Sequence, residues 1–361
     1  MMVLHKSFHV VILLISMSGC KSHAQQQKSF AAYTKLIEKN IDTYFYDRSA
    51  SLYKEAKERS REDRPFSYLW PLCALLQAAN EMETLHNGED HLSKVLKAVE
   101  QYYSTKPPVP GYEAYPGKYG GDDRFYDDNQ WIGIALIDAH ARTGNADYLN
   151  KAKEIYTFMM SGYSSAAGGG LYWKEHDTTT KNTCSNGPGM VLALKLFKAT
   201  KQKNYLDTAL VLYKWTNQWL QSPEGIYYDA VKLPSMELDK RTYTYNTGTM
   251  LETNVLLYQI TGTQSYLREA QRIAKASLPH FYKNNRFPDH YWFNAVLLRG
   301  YEALYNVDSN RIYIDAFIKD AEAVWQSERA ADNLLGKQER KELISQAAMM
   351  EIYARLALIL K

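Results

Sequence analysis

Hydrophobic residues along the chain fall into two kinds of stretch that alternate. One kind is amphipathic, with a short polar turn, then an aromatic-Leu pair, then apolar positions at helical spacing. It is clearest in Thr143–Met159 (TGNADYLNKAKEIYTFM), Thr200–Thr216 (TKQKNYLDTALVLYKWT) and Thr261–Ser277 (TGTQSYLREAQRIAKAS). Weaker copies centre on Phe30, His91 and Tyr313, so the anchors Phe30, His91, Tyr148, Tyr205, Tyr266 and Tyr313 follow one another at steps of 61, 57, 57, 61 and 47 residues. A period of this size marks an array of supersecondary units. The other kind of stretch is apolar nearly all round and follows each copy: Phe66–Asn80, Asp127–Arg142, Gly187–Ala199, Asn246–Ile260, Tyr291–Tyr305 and Leu343–Leu360. An all-round apolar helix is a buried helix and an amphipathic one lies outside it. Six outer and six inner helices in alternation predict an all-α fold, a closed (α/α)6 barrel. An open solenoid would need polar capping repeats and has no reason to stop at six. Strand signals are confined to GGGLYWKEHD and EGIYYDAV, read as short hairpins between units.

The connections are unequal. Inner-to-outer links such as TGNA and TGTQ are short, whereas outer-to-inner links are long: Thr105–Tyr126, Ser161–Asn186, Ser222–Tyr245 and His280–Asp289. All long loops therefore emerge on the face that carries the N-termini of the inner helices, where free backbone N–H groups favour anions and oxygen ligands. Long loops gathered over one mouth are the expected place for a site.

The composition narrows the classes. A net charge of +3 on 361 residues gives no support for nucleic-acid binding. Cys73 and Cys184, in apolar or helix-edge contexts, imply neither a disulfide framework nor a cysteine metal site. The 29 tyrosines and 7 tryptophans tilt the reading toward carbohydrate, whose rings stack on such side chains. At the start, His5 and Lys6 precede the apolar run Val10–Ile15 and then Ser18-Gly19-Cys20. That run is too short to span a bilayer and reads as a signal peptide over residues 1–19. Cys20 reads as a lipidation site followed by a tether to residue 28, and residues 29–361 as a single catalytic domain. An exported bacterial lipoprotein, periplasmic or at the cell surface and held to the membrane by its lipid, is expected; a monomer is expected too.

The mouth would gather four polar and aromatic clusters from distant parts of the chain: YDDNQW (126–131), KNTCSNGPG (181–189), TYTYNTGT (242–249) and FPDHYWF (287–293). In the first, Asp127 and Asp128 are adjacent at a helix start. One aspartate there is an ordinary cap. Successive helical residues diverge by roughly 100°, so only one of two can cap. Side by side they repel, and one holds its proton longer than the other. A nucleophile beside a proton donor is what glycoside hydrolysis by two carboxylates requires. Asp122 and Asp123, in a Gly-rich turn, read as solvated loop residues. Asn129 could hydrogen-bond a sugar hydroxyl, and Trp131 suits either the wall of a sugar site or the core. Trp173, in a long Gly-rich loop, suits either a stacking platform or turn packing. Tyr245 and Asn246 stand at the start of the fourth inner helix, and Asp289, His290, Tyr291 and Trp292 form a dense cluster without metal-ligand spacing. Trp70 reads as a core or outer-layer residue. No cofactor or metal is called for.

Six αα units, YDDNQW opening an inner helix and the later YNTGT together resemble glycoside hydrolase family 76 over nearly all of the chain past the leader. The resemblance implies an endo-acting α-1,6-mannanase that acts on the mannan backbone of yeasts and fungi. It implies Asp127 as nucleophile and Asp128 as acid/base. Asn129, Trp131, Trp173, Tyr245, Asn246, Asp289, His290, Tyr291 and Trp292 are the candidate substrate contacts, and the resemblance adds weight to Tyr245 and Asn246. FNAVLLRGYEAL (293–304) resembles the family's late helix with its arginine, here Arg299, although Phe-Asn-Ala stands where the family has Phe-Lys-Gly. Two other classes fit the same fold: a barrel hydrolase of unsaturated uronides, which would want basic residues for the substrate carboxylate, and a non-catalytic glycan-binding or transglycosylating protein.

Overall fold

The structure, a computed structural model, describes residues 22–361. The expected leader and Cys20 lie outside the described residues. Among these, twelve α-helices alternate between two layers. The inner layer is α2 (Leu69–Leu85), α4 (Tyr126–Thr143), α6 (Thr183–Thr200), α8 (Thr244–Thr261), α10 (Tyr291–Asp308) and α12 (Leu343–Ile359). The outer layer is α1 (His23–Tyr44), α3 (Leu92–Val99), α5 (Ala146–Ser161), α7 (Lys203–Leu220), α9 (Gln264–Phe281) and α11 (Ile312–Ser327). Each inner helix packs on the next, and α12 packs on α2, so the ring closes. The fold is the (α/α)6 barrel that the alternation predicts.

The layers have the burial their sequences require. In α6, every residue from Thr183 to Leu194 is buried. In α9, burial is confined to Ala270, Ile273, Ala274, Ser277 and Phe281, one stripe at helical spacing. The short turns repeat one geometry. Gly144, Lys201, Gly262 and Ser309 end their inner helices in the left-handed conformation. In three of them the preceding threonine (Thr143, Thr200 or Thr261) accepts, at 3.2 Å, the N–H of the residue that caps the next outer helix. The polar turns legible in the sequence are therefore stop-and-restart devices between antiparallel helices.

Two expectations need correction. Helix α1 begins at His23, so the segment expected as tether up to residue 28 is already helical. Ser22 accepts the Gln25 N–H and caps it, and Gln26 is buried. Helix α6 begins at Thr183, before the expected Gly187, because Asn186 turns its amide back onto the backbone of Leu171 and Asn182 and makes SNGPG helical. The strands also differ in part. Tyr46–Asp47 (β1) with Leu52–Tyr53 (β2), and Tyr103–Ser104 (β3) with Gly111–Tyr112 (β4), form two-residue hairpins. Thr180–Asn182 (β5), Tyr228–Lys232 (β6) and Glu237–Thr242 (β7) form an antiparallel sheet at the mouth. GGGLYWKEHD makes only isolated bridges. Its glycine-rich part wraps the ammonium of buried Lys181, which donates to the carbonyls of Ser164 and Ala166 at 2.7 Å and Gly169 at 2.5 Å.

Two contacts hold the ring shut. At its narrowest point α8 and α10 touch backbone to backbone: a Cβ on Gly248 would lie 2.6 Å from Leu297 Cα, and one on Gly300 would lie 2.7 Å from the Gly248 carbonyl. Deeper in, Arg299 on α10 forms a forked pair with Glu351 on α12 at 2.6 and 2.8 Å, and Arg355 extends it to Glu302 and to Glu81 on α2. Breaking such a buried pair leaves an uncompensated charge. The glycine contact gives a direct prediction. Gly248→Ala will lower the unfolding free energy by about 1–3 kcal/mol, because backbone cannot move aside as a side chain can. Gly117→Ala, with nothing within 4 Å of the added carbon, will change it by less than about 0.5 kcal/mol. Thermal melts of the two variants check this.

Candidate active site

The mouth of the ring opens into a cleft of about 740 Å³. Its composition follows from helix register. The second residues of α2, α4, α6 and α8 are Trp70, Asp127, Cys184 and Tyr245, and all four line the cleft. The third residues Asp128 of α4 and Phe293 of α10 join them, and the sheet contributes Asp229 and Arg241.

The fourth residue of an inner helix does something different. Asn129 accepts the Tyr112 N–H at 2.7 Å and donates to the Tyr112 carbonyl at 3.0 Å. Asn186 does the same with Leu171, and Gln346 with Leu335. These amides clamp the long loops onto the helix starts. The loop before α6 is also zipped to the entry of α4. Arg124, buried, forks onto Glu175 at 2.7 and 2.8 Å and donates to the Val109 carbonyl, while Tyr126 donates its N–H to the Trp173 carbonyl. This places Trp173, its ring 5.0 Å from that of Phe125, over the aspartate pair.

Asp127 and Asp128 are only 5% and 6% exposed, so both carboxylates are held largely out of water. Burial pushes Asp127 up to about 6. The Cys184 thiol, the N–H groups of Asp128 and of Asp127 itself, and the Trp173 indole oppose the rise. Asp128 goes much further above the usual carboxylate range, through burial and then the negative charge of Asp127, with no opposing donor. The helix start favours one negative charge here, and the donors decide which carboxylate carries it. Asp127 is therefore the readier of the two to ionise, and Asp128 keeps its proton to higher pH. Oδ1 of Asp127 is buried without a hydrogen-bond partner, as is Oδ1 of Asn182 on the cleft wall.

The other residues singled out in the sequence take varied places. Trp173 is 38% exposed at the cleft, and Tyr245 lines its wall. Asn246 stands one layer back and donates to Asp229 Oδ1 at 3.3 Å. Trp131 and Trp292 are buried edge to face, 5.1 Å apart, with the Arg299 guanidinium over both rings. Asp289 accepts the Thr244 N–H at 2.6 Å and so caps α8. His290 caps α10 through its Nδ1, and the Tyr291 hydroxyl donates to Glu328. Asn294, in the Phe-Asn-Ala segment, donates to the Asp289 carbonyl and accepts the Thr244 hydroxyl. In the neighbouring turn, Asp122 pairs with Arg64 at 3.0 Å and Asp123 with Lys174 at 2.8 Å. Trp70 was not expected at the mouth, and Cys184 was expected there only as part of its cluster, with no role of its own. Both stand 57 residues from Asp127, on either side, which is one of the steps of the repeat.

This arrangement has close relatives. A family 76 glycoside hydrolase from a bovine Bacteroides thetaiotaomicron strain superposes with a TM-score of 0.85 at 27% identity, covering 92% of this chain and 78% of its own. The family 76 mannosidase Bt3792 of Bacteroides thetaiotaomicron superposes with a TM-score of 0.83 at 28% identity, covering 92% of this chain and 98% of its own. Among curated proteins, a mannan endo-1,6-alpha-mannosidase of Candida glabrata is 28% identical over 171 residues, 43% of this chain and 38% of its own. The chain spans about half, or less, of the length of the curated relatives it matches. The sequence profile of glycosyl hydrolase family 76 matches residues 29–357, from within the first outer helix to within the last inner one, and the chain belongs to that family.

Proposed function

We propose that this chain is an endo-acting α-1,6-mannanase that works with retention of configuration on mannan backbone. The observation that carries it is the buried aspartate pair at the start of α4, both members lining the cleft, with donors turned to Asp127 and none to Asp128. In the first step Asp127 attacks the anomeric carbon of the mannose over it. The glycosidic C–O bond breaks, and Asp128 gives its proton to the departing O6. In the second step Asp128 takes a proton from water, which attacks the same carbon and displaces Asp127. Trp173 and Trp70 serve as stacking surfaces, and the unpartnered oxygens of Asp127 and Asn182 serve as acceptors for sugar hydroxyls. The relatives named as mannan endo-1,6-alpha-mannosidases support the substrate. A uronide substrate fits less well. Arg241 is already paired with Asp239 at 2.6 Å and Lys232 with Glu237 at 3.3 Å, and the cleft otherwise presents carboxylates.

We also assign Cys20 as a lipid attachment point on an exported monomer. No helix among the described residues is long and apolar enough to cross a membrane. Outer helices run opposite to inner ones, so the start of α1 at His23 lies at the end remote from the cleft. A lipid on Cys20 would therefore turn the cleft away from the membrane.

The protein incubated with debranched α-1,6-mannan should release short oligosaccharides, followed as reducing ends. Asp127→Asn and Asp128→Asn should each lose about 10³-fold or more of that rate while keeping the fold. Unchanged cleavage by either variant would remove the assignment.

The pair also predicts a link between activity and stability. Asp127 must be ionised to attack, so kcat/KM should fall as pH drops through about 6. A carboxylate whose folded pKa lies above its ordinary 3.8 stabilises the fold most at low pH, and that stabilisation is lost as pH rises through about 6. Each pH unit of the rise is worth about 1.4 kcal/mol, so ionised Asp127 costs the folded state about 3 kcal/mol. Asp127→Asn should therefore melt a few degrees higher than the parent at pH 7.5, and the gain should vanish near pH 4. A Tm difference independent of pH would contradict the charge assignment.

A further inference from the structure

One buried nucleophilic side chain at the mouth has no part in the chemistry described above. Cys184 is 5% exposed, a free thiol on the cleft wall. It occupies the same register of α6 that Asp127 occupies on α4, and these two helices are neighbours in the ring. The next helix, α8, presents Tyr245 in that register, so the three side chains stand in a row. Asp127, at the end of the row, is itself nineteen-twentieths buried and keeps its Oδ1 without a hydrogen-bond partner.

We propose that Cys184 is a positioning residue for the reaction, its thiol hydrogen bond fixing the carboxylate of Asp127 in the orientation from which it attacks. The Tyr245 hydroxyl would then donate toward the Cys184 sulfur and the Cys184 S–H toward Asp127, its neighbour on the cleft wall. A thiol is a weak donor and small enough to pack in apolar surroundings. It can lean on the carboxylate without neutralising it or competing with a sugar for its other oxygen. Burial keeps this thiol protonated, because desolvation and the charges of Asp127 and Asp229 push it far above the ordinary range. It therefore serves as a donor and not as a nucleophile. The inference rests on Asp127 as the attacking group, and its test has one arm that needs no substrate.

Cys184→Ala and Cys184→Ser are compared with the parent for cleavage of debranched α-1,6-mannan from pH 4 to 8. The other titratable groups around the two side chains, Asp128 on α4, Asp229 on β6 and Tyr245 on α8, are the same in all three proteins. Loss of the donor in Cys184→Ala should raise the acid limb of kcat/KM by about half to one pH unit. That is a loss of roughly three- to tenfold at pH 5.5 against less than about twofold above pH 7. Cys184→Ser, which keeps a donor, should restore the limb. An unmoved limb, or an equal loss in both variants at every pH, would overturn the proposal. In the second arm, the melting-temperature gain from Asp127→Asn is measured with and without Cys184→Ala at pH 4 to 8. Once the thiol is removed the gain should be larger at pH 7.5 and should level off at higher pH, while still vanishing near pH 4 in both backgrounds. An identical gain in the two backgrounds would overturn the proposal. If the parent does not cleave mannan, this arm alone decides the role of Cys184, and the substrate reading fails separately.

Discussion

Closing six inner helices into a ring is the constraint on which everything else in this molecule depends. Once α12 packs against α2, all six inner helices begin at one mouth. The second residues of α2, α4, α6 and α8 then face the shared opening, joined by the third residues of α4 and α10. Residues separated by 57 or 61 positions in the chain become neighbours around one cleft: Trp70, Asp127, Cys184 and Tyr245. The closure itself is held by tight means, a backbone contact that leaves no room for a Cβ and an arginine–glutamate network that crosses from α10 to α12 and α2.

The same register separates chemistry from support. The second and third positions carry reactive and stacking groups. The fourth carries an amide that grips a loop, in Asn129, Asn186 and Gln346. The loops are thereby fixed to the helix starts, and Trp173 owes its place over the aspartates to Arg124, Glu175 and the caged Lys181. Holding two carboxylates out of water works against stability, and the ring supplies the rigidity that tolerates it.

The sequence made the barrel legible because its signals are periodic and redundant. Six buried stretches, six amphipathic ones and a repeated polar turn all say the same thing. The aspartate pair was legible because two adjacent charges at a buried helix start have few structural uses. What periodicity could not supply was the direction of individual side chains. Asn129 is indistinguishable in sequence from a sugar-binding amide, yet both ends of its amide are engaged by backbone. Asp289 and His290 stand among aromatics like site residues, yet they cap α8 and α10. Trp70 reads as a packing residue because its flanks Leu69, Pro71 and Leu72 are apolar, and nothing local singles out Cys184 within its cluster. Aligning the helix starts on Asp127 places Trp70 at the mouth and gives Cys184 the register of the proposed nucleophile. The start of α6 was obscured by Gly and Pro, whose usual loop meaning was overridden by the clamp at Asn186.

The central claim is that Asp127, ionised, bonds to the sugar while Asp128 moves the proton. The configuration of the first product tests it most directly. Proton NMR of the anomeric region during the first minutes of mannan cleavage, before mutarotation, separates the two outcomes. Double displacement through Asp127 predicts that α reducing ends appear first and the β form grows in later. β reducing ends at the earliest times would mean that water attacks directly, and that Asp127 activates it without ever carrying the sugar.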